Sequence, residues 1–490
     1  MKTTHETPMT RPNIIYFHCD GAGRYIQPCG YPVPTPTFQK LAEAGVLFTN
    51  HYTTSPTCHP SRGALLTGAT PHKNGMMGLG WNSGWCFKDK SWHLASFLSS
   101  QGYETVLDAI PDFDQQEAPY DIDLNPICRA APSNRDQHEE TTRQAIKYLR
   151  GKQDGTPFFL NVGYSAPKGQ ENFDFAADFP RTDPEYVRPP EPMIDTPAGR
   201  RQWALFMDSL HFVDRQLEEL IATLKATGQY ENTLIICTPD HGFQYPKGKG
   251  SLYEGGVGTF LIMAGGGLPA GKVVRPMVNV LDLYPTICEL IGVEPPTHLD
   301  GRSMMPLIRG EQDRLHDLLF FEQTYHYNYL PERGITDGRY KYIRRYYRTR
   351  AEAVTNTDDP ADYFIDDAGI LDVPLEREEL FDLVLDRTEC NNLLDDPRHQ
   401  EILTRLRDAL DRWMVETDDP ILKGPILLPE GGKTGVQVDP RREQPRNVPA
   451  EKWNRTIHEY HCPFTVPQKE RSGKNNPVVR GPECLRSDQG

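Results

Sequence analysis

The sequence predicts an α/β protein with a large, mostly parallel β-sheet, followed by a smaller α+β subdomain with an antiparallel sheet. Short apolar runs that end in polar, glycine-containing loops indicate buried parallel strands. A long amphipathic segment between two of these runs indicates a helix of the kind that covers such a sheet. After about residue 312 the pattern changes to short strand-like runs, which indicates a second structural unit.

The first predicted strand and helix lie near the start of the chain. Residues 14–17 (IIYF) form an apolar run that leads into the glycine-containing loop 18–23. Ligands bind at the carboxyl ends of strands in open α/β sheets, so Asp20 is predicted to lie at a ligand-binding edge. Residues 37–44 carry apolar side chains at helical spacing and are followed by Gly45, so we predict a helix there.

Two further apolar runs, 158–162 and 233–237, are predicted as buried strands. The segment between them carries apolar residues three or four positions apart, which predicts a long amphipathic helix that ends at Gly228. The periodic positions are Leu205, Leu210, Val213, Leu217, Leu220, Ile221 and Leu224.

The later part of the chain predicts a smaller subdomain and a tail. Residues 400–414 have the pattern of a helix. Three short runs have the pattern of antiparallel strands: 318–321, 339–343 and 379–383. We therefore predict a large domain at 11–312, a smaller α+β subdomain at 313–424, and an extended tail at 425–490 that is rich in Pro, Gly and charge.

The composition excludes some classes of partner. With 490 residues and 37% hydrophobic content the chain is long enough for one large domain and a smaller one. Its formal charge of −15 argues against a nucleic-acid partner. The first apolar run is too short for a signal sequence or a membrane span. Ten cysteines without paired spacing argue against a disulfide framework or a structural zinc site, so we predict a cytoplasmic protein.

Residues 58–68, which read CHPSRGALLTG, form a candidate nucleophile segment. If Ser61 begins a helix, the backbone N–H groups of its first turn and the guanidinium of Arg62 would bind an anion beside Cys58. That arrangement suits a sulfate or phosphate ester. From the residues alone, a cysteine in such a turn is more often a small packing residue than a nucleophile.

A second candidate segment follows the predicted strand at 233–237. Asp240 stands at the end of this strand and Lys249 lies in a glycine-lysine run. Together with Asp20 from another strand end, Asp240 has the position of a hard-metal ligand. The alternative is that Asp240 only caps the next helix and that the glycine-lysine run is a solvated loop.

These segments together resemble the type I sulfatases of the alkaline phosphatase superfamily. They match the signature C-x-P-S-R followed by x-x-L-x-T-G, and the later Asp-His-Gly and G-K-G-x-x-Y-E-G-G motifs. Further matches at 11–13 (RPN), 41–50 (LAEAGVLFTN) and 280–286 (VLDLYPT) extend the similarity over about residues 11–420. The string HKNGMMGL at 72–79 is most similar to the sulfamidase (N-sulfoglucosamine sulfohydrolase) branch.

The resemblance implies an alkaline-phosphatase-like sandwich with a mixed, mostly parallel sheet, and identifies residues 11–312 as the catalytic domain. It implies that a maturation enzyme oxidises Cys58 to formylglycine, the nucleophile of that family. Arg62 would orient this nucleophile, and Lys249 would bind sulfate oxygens. The implied ligands of a Ca²⁺ (or Mg²⁺) ion are Asp20, Asp240 and His241.

The chain differs from the family pattern at three positions near these motifs. Gly21 stands where the family has a second Asp, which removes one carboxylate from the metal site. His241 occupies a position that is Asn in some members, and histidine is not a favoured calcium ligand. Gly258 replaces an arginine that is common after Glu-Gly-Gly.

Two further departures concern groups that contact sulfate or the leaving group. After residues 102–105 the family continues to a G-K-W-H-L motif that is missing here, and His93 in a similar string is predicted to be structural. Lys168 stands where a substrate-binding histidine is expected. A lysine can neutralise a sulfate oxygen but is a poor proton shuttle near neutral pH.

Three functions follow from these patterns. The leading prediction is a hydrolase of sulfate esters or sulfamates, acting on a sulfated carbohydrate or a related small anion. The second is a phosphate or phosphonate ester hydrolase of the same superfamily, because the same nucleophile and metal support that chemistry. The third is a catalytically degenerate member with a binding role, suggested by Gly21 and the missing Lys-His pair.

Overall fold

A mixed β-sheet forms the centre of the larger part of the protein. The computed structural model describes residues 11–464 except 110–118, 125–134, 153, 168–175, 177, 246, 327, 348–375, 437–445 and 460. Within these residues the sheet has nine strands. They are β1 (Asn13–Asp20), β2 (Gly45–Tyr52), β3 (Glu104–Asp108), β4 (Ile122–Asp123), β5 (Phe158–Pro167), β6 (Thr233–Pro239), β7 (Gly258–Ala264), β8 (Lys272–Val274) and β9 (Val278–Asn279).

The strand order is β4-β3-β5-β1-β6-β7-β2-β8, with β9 pairing to β2. Strand β7 runs antiparallel to both β2 and β6, and the other pairs are parallel. The prediction of a large, mostly parallel sheet is therefore confirmed. Strand β5 is longer than the predicted 158–162 because it continues through Gly163, Ser165 and Pro167, which break the apolar run without ending the pairing.

Helices cover both faces of this sheet. On one face α1, α6 and α7 pack over a core that includes Phe17 and Leu160, and on the other face α2, α5 and α9 pack over Tyr16 and Phe159. None of the described helices is long and apolar enough to cross a membrane. The helices up to residue 309 are α1 (Pro36–Glu43), α2 (Cys58–Thr67), α3 (Pro71–Asn74), α4 (Gly80–Ser83), α5 (Leu94–Ser100), α6 (Arg135–Gly151), α7 (Pro197–Ala226), α8 (Glu254–Val257), α9 (Leu283–Ile291) and α10 (Met305–Arg309).

A four-stranded antiparallel sheet follows, as predicted for the smaller subdomain. The helix α11 (Gln400–Glu416) packs against it through Leu403, Leu406 and Leu410. The strands, in spatial order, are β10 (Leu319–Tyr325), β11 (Tyr329–Thr336), β12 (Tyr340–Arg345) and β13 (Glu378–Asp382).

Strand β11 was not predicted, because its sequence YLPERGIT lacks an apolar alternation. Its charged residues are buried and paired with other parts of the chain. Arg333 donates to Asp419 through two guanidinium nitrogens, at 2.5 and 2.9 Å, and Glu332 accepts from Arg345 at 2.8 Å. A polar segment can thus form a central strand because its buried charges are paired with residues from other parts of the chain.

Part of the segment predicted as an extended tail forms regular structure. Strands β14 (Lys433–Val436) and β15 (Arg446–Pro449) form a two-stranded sheet, and helix α12 (Ala450–Thr456) follows directly. Trp453 of this helix is buried and donates to the hydroxyl of Tyr325 at 3.1 Å, so part of the tail belongs to the core of the smaller subdomain. The predicted domain boundaries stay a prediction, and residues 465–490 lie outside the described part.

Glu322 on β10 joins the smaller subdomain to the segments around the candidate nucleophile. Its backbone N–H donates to the carbonyl of Thr54 at 2.9 Å. Its side chain accepts from the His72 Nδ1 atom at 2.8 Å, and both side chains are buried. Burial lowers the pKa of His72, but the Glu322 carboxylate opposes this effect and the net shift is upward.

The His72→Gln variant is expected to lose stability chiefly at low pH. A raised pKa in the folded state means that the ion pair contributes stability below the unfolded pKa of about 6.5, and that this contribution is lost as pH rises through the folded pKa. Denaturant unfolding should show a loss of about 1–3 kcal/mol at low pH that shrinks at alkaline pH. His458→Gln, at an exposed position, is the control, and an equal loss at both pH values would contradict the prediction.

Candidate active site

Two carboxylates meet at the carboxyl edge of the large sheet, as the sequence predicts. Strands β1 and β6 are parallel neighbours, and Cys19 pairs with Pro239. The next residues, Asp20 and Asp240, therefore lie beside each other at the carboxyl ends of these strands. The backbone N–H of Gly21 donates to Asp240 Oδ1 at 2.9 Å. This donor is a backbone group, so the bond does not depend on the side chain at position 21.

Cys58 is the first residue of helix α2, so the helix begins three residues earlier than the expected start at Ser61. Thr57 is extended and precedes the helix, which places the thiol itself in the first turn. Ser61 has another role, because its hydroxyl donates to the carbonyl of Asp240 and accepts from Thr53 at 2.7 Å. The helix is thereby attached to the loop after β6.

The thiol of Cys58 lies beside the side chains at the ends of β1 and β6. Its Sγ atom is 3.5 Å from Asp20 Oδ2 and 3.3 Å from His241 Nε2. Arg62, one turn later on α2, places Nη2 at 3.2 Å from Asp20 Oδ2 and 2.9 Å from Asp240 Oδ2. Arg62 therefore bridges the two carboxylates and orients both toward the nucleophile position.

Lys249 reaches the same cluster from the loop between β6 and α8. Its Nζ atom is 4.0 Å from Asp20 Oδ1 and forms no hydrogen bond with the described residues, although the side chain is 1% exposed. The backbone N–H of Gly250 donates to the carbonyl of Pro56 at 2.9 Å, which joins this loop to the nucleophile segment. Gly242 allows the loop to close, since a Cβ atom there would lie 1.6 Å from the Gly255 carbonyl oxygen.

The cluster has the composition of a divalent metal site. One ligand atom from each of Asp20, Cys58, Asp240 and His241 can be chosen so that all lie within 4.8 Å of one another. His241 Nδ1 lies 2.9 Å from the Gly242 carbonyl, which can only accept, so Nδ1 carries a hydrogen and Nε2 faces the cluster. These side chains thus fit a divalent cation.

Burial and charge perturb the two titratable groups after β6. Burial and the neighbouring Asp20 raise the pKa of Asp240, while His241 and Arg62 oppose the rise. Burial lowers the pKa of His241, but Asp240 and Cys58 outweigh it and the net shift is upward. A cation bound among these groups would compete with protons.

The remaining predicted residues have different outcomes. Lys168 lies outside the described residues, and so does the segment 110–118 that follows β3. His93 precedes α5 and accepts from the backbone N–H of Ala95 at 3.1 Å, in agreement with the structural role predicted for it.

The sequence patterns did not reveal the role of Arg24, which contacts the end of the loop that carries Lys249. Its Nη1 atom lies 2.6 Å from Glu254 Oε2, and Lys341 from the smaller subdomain lies 2.7 Å from Glu254 Oε1. A Cβ atom at Gly258 would lie 2.7 Å from the Arg24 Cζ atom. The guanidinium of Arg24 thus occupies the space beside position 258. The presence of glycine at 258, where the family commonly has arginine, was the sequence feature that could have indicated this arrangement.

Comparisons with known proteins agree with this arrangement. A family model described as sulfatase matches residues 12–293, and one described as the C-terminal part of N-sulphoglucosamine sulphohydrolase matches residues 241–365. An ulvan-active sulfatase from Formosa agariphila is 28% identical over 460 residues, covering 89% of this chain and 87% of the relative. The human N-sulphoglucosamine sulphohydrolase is 28% identical over 451 residues, covering 80% of this chain and 88% of the relative.

A solved structure has the same fold. It is that of a protein in complex with its substrate D-glucosamine-2-N,6-O-disulfate, with a TM-score of 0.66 and 18% identity. The match covers 85% of this chain and 99% of that chain. The likeness therefore extends over most of this chain, and it is a likeness of fold.

Proposed function

The chain belongs to the sulfatase family of sulfuric ester hydrolases, and on this premise we propose that it removes sulfate from a sulfated carbohydrate, from either an ester or a sulfamate. The observation that carries the proposal is the position of the Cys58 thiol between Asp20 and His241, beside the buried cation of Lys249. Relatives named for activity on ulvan and on N-sulphoglucosamine support a carbohydrate substrate.

Formylglycine at Cys58 and a divalent cation, for which the resemblance implies Ca²⁺ or Mg²⁺, are part of the proposal. When present, they supply a nucleophilic hydroxyl and polarise the ester. Arg62 holds both carboxylates in register with the nucleophile through its two contacts. Lys249 binds sulfate oxygens because its ammonium is buried and directed at the cluster. Lys168 is proposed as a second cation for sulfate.

The function is tested with the full chain, co-expressed with a formylglycine-generating maturation enzyme. Released sulfate is measured on O- and N-sulfated saccharides, and aryl sulfate is compared with aryl phosphate. Sulfate release from a saccharide supports the proposal. Turnover of the phosphate ester alone would support the phosphohydrolase alternative, and no turnover of matured, metal-loaded protein would support a binding role.

Trp81 is proposed to stack on the sugar ring of the substrate. It is 61% exposed, whereas Trp85 packs against Tyr325 with ring centroids 5.6 Å apart. The preceding residue, Gly80, donates its N–H to His59 Nδ1 at 2.8 Å, and His59 directly follows Cys58. An exposed indole beside the nucleophile segment has the apolar face that a sugar ring packs against.

Trp81→Ala is expected to raise KM for a sulfated saccharide about 5–10-fold, the value of one stacking contact of about 1 kcal/mol. KM for a small aryl sulfate should change less than twofold on the same estimate, since that substrate lacks the sugar. Tyr186→Ala, at an exposed aromatic residue on another segment, is the matched control. Equal effects on both substrates would contradict the stacking role.

A cytoplasmic location is also a proposal. The cysteines that the structure describes are free thiols, the state expected in a reducing compartment. Cell fractionation tests it, and recovery of the protein outside the cytoplasm would contradict it.

A further inference from the structure

The metal cluster offers a calcium ion two carboxylates among its described His, Cys, Asp and Glu side chains. Ca²⁺ takes 6–8 oxygen ligands, and its affinity follows the number of charged ones. The cluster found among the described His, Cys, Asp and Glu residues contains two carboxylates, Asp20 and Asp240. Both already receive the guanidinium of Arg62, at 3.2 and 2.9 Å. The ammonium of Lys249 stands 4.0 Å from Asp20.

The charges of this cluster are also unfavourable for Ca²⁺. Two buried carboxylates face two buried cations, Arg62 and Lys249, so these four side chains add up to no net charge. A hard cation that is held mainly by negative oxygens gains little from such a group. A second carboxylate beside Asp20 would also be strained, because Gly21 has a φ of +75°.

The nitrogen ligand, in contrast, is fixed in place. The Gly242 carbonyl, 2.9 Å from Nδ1, sets the ring orientation of His241, and Nε2 lies 3.6 Å from Asp20 Oδ1 and 3.4 Å from Asp240 Oδ2. In transition-metal sites, a histidine ligand commonly donates a hydrogen bond from its other ring nitrogen to a carbonyl. Imidazole binds Zn²⁺ and other first-row ions well, while Ca²⁺ prefers oxygen.

We propose that the resident ion of this chain is a divalent first-row transition ion of the Mn²⁺ or Zn²⁺ class, selected over Ca²⁺ by His241 Nε2 together with Asp20 and Asp240. The inference rests on the proposed metal-dependent function, but metal binding is measured without turnover, so the two can fail separately.

The test uses the full chain, co-expressed with the maturation enzyme so that residue 58 carries no thiol, then stripped of metal with a chelator and titrated with Mn²⁺, Zn²⁺, Mg²⁺ or Ca²⁺. Calorimetry and the thermal unfolding midpoint report binding, and elemental analysis identifies the ion that copurifies. Mn²⁺ or Zn²⁺ is expected to bind at least about tenfold more tightly than Ca²⁺. Equal or tighter binding of Ca²⁺ by the wild-type chain would overturn the proposal without any variant.

His241→Asn replaces the nitrogen ligand with an amide oxygen. It is expected to lower the affinity for the transition ion by about tenfold or more, while the affinity for Ca²⁺ stays within about threefold. His458→Asn, at an exposed histidine outside the cluster, should retain the wild-type preference. A folded His241→Asn protein with unchanged selectivity would also overturn the proposal.

Discussion

Cys58→Ala is expected to lower kcat by about 10⁵–10⁶-fold, the typical cost of removing a covalent nucleophile. The side chain stands at the first position of helix α2 and lies between Asp20 and His241. The loss should appear in kcat on every sulfated substrate, because the nucleophile is common to all of them. Steady-state kinetics of matured wild-type and variant proteins measure it.

The matched control is Cys86→Ala, since Cys86 is a free and exposed cysteine. It should retain wild-type kinetics and the wild-type unfolding temperature. Mass spectrometry of the peptide that contains residue 58 gives a second readout. Full activity of Cys58→Ala, or an active wild-type enzyme whose Cys58 is entirely an unmodified thiol, would exclude the proposed nucleophile.

Lys249→Met is expected to lower kcat/KM by about 10²–10³-fold, the range seen when one preorganised donor to a developing negative charge is removed. Methionine keeps much of the apolar stem and removes the ammonium, so the change tests charge more than volume. The effect should be large because the group is buried and its interaction with an anion is weakly screened.

Lys40→Ala, at an exposed position of helix α1, is the control for the loss of one positive charge. It should leave kcat/KM unchanged at ordinary ionic strength. If Lys249→Met folds and binds metal but retains kcat/KM within a factor of about three, Lys249 does not bind the reacting sulfate.

The departures from the family pattern have structural counterparts. Gly21 donates a hydrogen bond to Asp240, and the space beside Gly258 is occupied by the guanidinium of Arg24. The Gly21 donor is a backbone N–H that any residue except proline would supply, but at position 258 the departure is part of a different local arrangement with Arg24. The sequence patterns did not predict this because the compensating residue is more than two hundred positions away.

Local patterns determined the large sheet, the helix α7, and the placement of Asp20 and Asp240 at strand ends. Apolar runs and helical periodicity are properties of neighbouring residues, and parallel pairing brings the carboxyl ends of strands to one edge. Residue chemistry singled out Cys58, Arg62 and Lys249, the family motifs added His241 and assigned a role to each, and the structure brings all four to that edge.

Tertiary structure alone decided the features that depend on distant partners. Strand β11 is polar in sequence, and it forms because Arg333 and Glu332 are paired with Asp419 and Arg345. The orientation of His241 and the bridging of two carboxylates by Arg62 likewise need several segments in contact. Buried charges are acceptable only with their partners in place, and a linear pattern does not contain those partners.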